Sequence, residues 1–141
     1  MLLCLTPGYW HSGRMEMTVW VEGWQMQCCG EPFHVGSQVS WTLLPSNASW
    51  LRPLLPAGTD VTIDAAEERH GDAPDGTAAT AGTVSAITAI HHRYAPKPGE
   101  DARTLYPVPG SAALSAITSA DGWTPDDGDL RFVGYLVRLA T

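Results

Sequence analysis

The sequence predicts an all-β single domain, a small antiparallel barrel or sandwich of about six or seven strands. Three observations predict it. From Thr18 onward apolar residues recur with a period of two, the pattern of strands with one buried face. Turn-forming residues interrupt that pattern at Gly30-Glu31-Pro32, across residues 70–82 and over Asp121–Asp129. No segment carries a convincing apolar stripe at helical spacing. A barrel is preferred to a sandwich because closure removes sheet edges that this chain does little else to protect.

The elements follow in order. Thr18–Gln27 reads as a strand with Val19 and Val21 on one face and Trp20, Glu22, Trp24 and Met26 on the other. Gly23 inside it suggests a bulge or a close backbone approach. After the Gly30-Glu31-Pro32 turn, Phe33–Leu44 reads as the second arm of a hairpin, with Phe33, Val35, Val39, Trp41 and Leu43 alternating around a Gly36-Ser37 corner. Pro45–Gly58 is a proline-rich loop whose Trp50, Leu51, Leu54 and Leu55 should fold back over one end of the core. Asp60–Arg69 is a strand with Val61 and Ile63 inward, and residues 70–82 form an exposed loop. Thr83–Tyr94 is the longest strand, and Pro107 confines Thr104–Val108 to an edge. Ser111–Ala120 mixes helix and strand formers, with strand or irregular structure favoured, and Leu130–Leu139 is the last strand. Patterning starts only after Met15 and Met17, so residues 1–16 read as a non-core extension and residues 17–141 as the domain. A natural start at Met15 or Met17 fits that boundary.

Composition narrows the function. Fifteen acidic against eight basic residues give a net charge of −7 over 141 residues. General nucleic-acid binding is excluded, because neutralising phosphates requires a basic surface. No apolar run approaches the roughly 18–20 residues of a membrane span. Three Cys (Cys4, Cys28 and Cys29) make an odd count with two adjacent, and a bond between neighbours would need a strained turn. That pattern, with an N-terminus unlike a signal peptide, predicts a reducing cytoplasm.

Chemistry-bearing residues concentrate between Trp20 and Gly36. Cys28 or Cys29 with His34, joined by His91 or His92, would supply zinc ligands. Cys-x-x-Cys and His-x₃-His spacings are absent, however, and the competing reading is two packed thiols at a strand end. No other cofactor is called for. Asp64, Glu68 and His70 would share a strand face, with Glu67 opposite, as acid–base candidates or as a solvated rim. His92 and Tyr94 would share a face with Val84, Ala86 and Ile90, suiting a barrel mouth. The acidic run Asp121, Asp126, Asp127 and Asp129 fails the calcium-loop register and reads as a turn. Phosphate-binding, nucleophile-elbow, zincin and dinucleotide motifs are absent.

The run Trp24–Pro32, the Phe33…Gly36…Val39…Trp41 continuation and Phe132–Val137 resemble a family of small uncharacterised actinomycete proteins. The resemblance spans residues 18–140. It implies a bacterial cytoplasmic protein and the shorter start, and it assigns no activity or site residue.

Six Trp against two Phe leave one feature to explain. Trp20 and Trp24 flank Glu22 on one strand face, with Trp41 expected on the partner strand. Such a platform suits stacking of a sugar, base or proline-rich peptide. The expected ligand site is therefore Trp20, Glu22, Trp24, Trp41, His92 and Tyr94. It belongs to a binding module for an unknown protein or small molecule. A metal-dependent enzyme and a homo-oligomer using the Trp face are the alternatives.

Overall fold

The structure is a computed structural model and describes residues 15–46, 48–56, 58–59, 61–68, 74 and 76–141. The extension up to residue 14, Cys4 and His70 lie outside the described residues.

Chain order is β1 (Glu16–Glu22), α1 (Gly23–Cys29), β2 (Phe33–His34), β3 (Gln38–Trp41), β4 (Leu43–Pro45), a 3-10 helix (Ala48–Leu54), β5 (Ala65–Glu67), β6 (Thr80–Ala95), β7 (Tyr106–Pro107), β8 (Ala113–Ile117), β9 (Ser119–Ala120) and β10 (Leu130–Ala140). The main sheet runs β3-β6-β10-β1-β5-β4, with β7 and β8 also on β6. Only Thr42 separates β3 from β4, and these two segments pair with β6 and β5 respectively. One bent stretch of chain therefore joins both ends of the sheet and nearly closes it into a barrel. The all-β expectation holds.

β6 and β10 are its longest strands, as their β-branched runs require. β10 pairs with β1 from Glu16↔Ala140 to Glu22↔Gly134. Met15 adds backbone hydrogen bonds to Thr141, so pairing begins before the expected domain boundary at residue 17. Gly134 marks the closest approach. A Cβ there would lie 2.5 Å from the Val21 carbonyl oxygen and 2.5 Å from the Trp20 ring.

Alternation along these strands fills two layers. Val19, Val21, Ile87, Ala89, Tyr135, Val137 and Leu139 point into the barrel with Phe33 and Trp41. Trp20, Ile90 and Leu136 point outward and are covered by Leu51 and Leu55. The proline-rich loop thus folds back, but onto the outward face of the sheet instead of over one end of the core, and its 3-10 helix makes the second layer.

Three expectations are corrected. The first strand stops at Glu22, and Gly23–Cys29 is helical. No β-branched residue follows Gly23 in this stretch, and Gly23 sits where a Cβ would come 2.8 Å from Phe132. Secondly, β1 and the Phe33–Leu44 stretch do not form a hairpin. β1 pairs with β10 and, in parallel, with β5 through Val19↔Ala65 and Trp20↔Ala66. Thirdly, where Asp60–Arg69 was expected as a strand, only Ala65–Glu67 of the described residues 61–68 is strand. No described helix is long and apolar enough to cross a membrane.

Candidate functional site

The outer layer carries the candidate site. Trp20 forms its floor at 4% exposure, projecting from β1 opposite Val19 and Val21. Trp50, on the 3-10 helix, meets it edge-on with ring centroids 6.2 Å apart. Beside this pair lie two adjoining cavities, of about 100 Å³ and about 250 Å³. Trp20, Glu22 and Trp50 line both, so they form one groove. Gln25, Glu67 and Glu68 complete the smaller cavity, and Trp24, Tyr94 and Phe132 the larger.

Trp24 reaches the groove from α1 instead of from β1. It is half exposed, and its Nε1–H donates to Glu22 Oε2 at 2.6 Å. That bond holds the indole against the carboxylate. Trp50 is 44% exposed. Three of the expected aromatic positions, Trp20, Trp24 and Tyr94, are thus brought together with Glu22.

Two expected members are placed differently. Trp41 points into the barrel at 4% exposure, edge-on to Phe33 at 5.1 Å, and does not line the groove. His92 is fully buried behind the wall, 6.1 Å from Trp50 and 6.0 Å from Tyr94 between ring centroids. Neither of its ring nitrogens has a hydrogen-bond partner among the described residues. Burial pulls its pKa below the ordinary 6.5, so the ring is neutral near pH 7. Burial raises the Tyr94 phenol above its ordinary range, with the Arg131 charge opposing. Val84 does not share this face. The register between β6 and β10 shifts across Ser85, which turns Val84 into the barrel.

Among the described residues the expected zinc ligands are not brought together. Cys28 and Cys29 are joined to each other by a disulfide on the exposed end of α1, correcting the expectation of packed free thiols. His34 is exposed, with Nδ1 2.8 Å from the Val35 carbonyl. His91 and His92 leave opposite faces of β6, and His91 Nε2–H donates to the Pro125 carbonyl at 2.9 Å. Among the described residues no three His, Cys, Asp or Glu side chains are placed to hold a metal ion.

The acidic residues divide by role. Asp64 is a latch: its carboxylate accepts the Thr18 N–H at 2.8 Å, and its own N–H donates to the Thr18 carbonyl. Glu67 and Glu68, expected on opposite faces, both line the smaller cavity. In the acidic turn, Asp121 accepts the Trp123 N–H and Asp126 the Phe132 N–H. Sequence reasoning missed Trp50 as a groove residue. Its signal was the apolar content of a proline-rich loop, which gave burial but not the side left open.

No curated protein and no solved structure matches the chain. Residues 15–141 match a family of unknown function, DUF6578, and the chain belongs to that family.

Proposed function

We propose that this protein is a binding module and that the Trp20–Trp50 groove is its ligand site. One observation carries the reading: two half-exposed indoles, Trp24 and Trp50, border cavities floored by a third, around a shared carboxylate. Scattered exposed apolar residues are ordinary on a protein surface. Large rings gathered around a concave site with a few polar groups, Glu22 among them, match the make-up of small-ligand pockets.

The test is intrinsic Trp fluorescence with choline, glucose, adenosine and a proline-rich peptide as probes. Trp24→Ala and Trp50→Ala should abolish the response to the probe that binds. Trp123→Ala, which removes an indole that is 65% exposed outside the groove, should retain it. Loss in Trp123→Ala alone would refute the site. Self-association through the same face is the competing outcome. It would appear as a concentration-dependent mass abolished by Trp24→Ala or Trp50→Ala.

A further inference from the structure

The two cavities differ in size but agree in chemistry. Carboxylate, amide and aromatic side chains line them, and no Lys, Arg or His of the described residues does. We infer that the groove takes a compact organic cation, an alkylammonium or methylated ammonium group, against Trp20, Trp24 and Trp50 and beside the Glu22 carboxylate. This rests on the binding reading and names its ligand class.

Aromatic faces attract cations through the ring quadrupole, most strongly for Trp. Glu22 adds a full negative charge at both cavities, held in place by Trp24. A neutral sugar or base would gain from the rings, yet would desolvate Glu22 without returning an opposite charge. An anion would meet that carboxylate inside a chain of net charge −7. Cavities of about 100 Å³ and about 250 Å³ admit a head group but not a folded surface. The chain already uses the same contact elsewhere: the Lys97 ammonium sits 4.1 Å from the Tyr106 ring centroid, and Tyr106 donates to Glu100.

The experiment is calorimetry on the full chain with choline and with 3,3-dimethyl-1-butanol, its neutral isostere. A trimethyllysine peptide and its unmodified lysine counterpart separate a free amine from a peptide source. Choline or the trimethyllysine peptide should bind about tenfold or more tightly than the neutral isostere. Glu22→Gln, which keeps an acceptor for Trp24, should weaken the cation about five- to tenfold and leave the isostere unchanged. Trp50→Ala should weaken both. Equal affinity for cation and isostere, or an unaffected Glu22→Gln, overturns the cation assignment while the groove stands. A neutral probe binding in place of every cation does the same. Silence from all probes, charged and neutral, overturns the groove reading with it.

Discussion

His92 shows how much one side chain is constrained by this layer. Its imidazole lies between Trp50 and Tyr94 with neither nitrogen paired, and a buried unpaired polar atom is costly. Its folded pKa lies below the unfolded value of 6.5. Below that pH the unfolded chain binds a proton that the folded ring resists. Its stability contribution is therefore complete above about pH 6.5 and is lost as pH falls towards and through the folded pKa. Denaturant midpoints measured between pH 7 and 5 should fall less steeply in His92→Phe than in the parent. At neutral pH the same variant should be neutral or more stable by about 1 kcal/mol, because the orphaned nitrogens are gone. A steeper acid loss in His92→Phe would contradict this assignment. The sequence placed His92 and Tyr94 correctly on one face. It could not show that a 3-10 helix would seal His92 beneath it, since that cover comes from a segment some forty residues distant.

At the scale of elements, legibility followed local chemistry. β6 and β10 were readable because β-branched residues and period-two patterning agree in both. α1 was not, because the apolar and aromatic residues Trp20, Trp24 and Met26 keep even numbering across the end of the strand. The contrary signals were Gly23 and the absence of β-branched residues after it. Pairing was less legible still: β1 joins the far C-terminal strand and β5, contacts for which local pattern holds no register. The 3-10 helix is the element on which the groove depends. Leu51, with no exposed surface, pegs it into the outer layer beside Trp20. Leu51→Ala should cost about 2–5 kcal/mol in chemical denaturation. Because it loosens the mounting of Trp50, it should also weaken any groove ligand under conditions where the fold persists. Unchanged binding in a measurably destabilised Leu51→Ala would show that Trp50 is not positioned this way.

Across the whole molecule, the barrel interior and the groove use opposite faces of the same strands. Four of the six Trp divide accordingly: Trp41 fills the interior, Trp20 floors the outer layer, and Trp24 and Trp50 border the opening, while Trp123 is exposed elsewhere. The grouping of Trp20, Glu22 and Trp24 in the candidate site was legible as a Trp-and-carboxylate strand face, although Trp24 comes from α1. Its division between core and groove was not, because that depends on closure through the Gln38–Pro45 stretch. The most direct test follows the indole N–H resonances of the Trp residues in a ¹⁵N-labelled chain while choline, glucose or adenosine is added. A binding probe should shift Trp24, Trp50 and Trp20 and leave Trp41 and Trp123 in place. Shifts confined to Trp41 or Trp123 would contradict it.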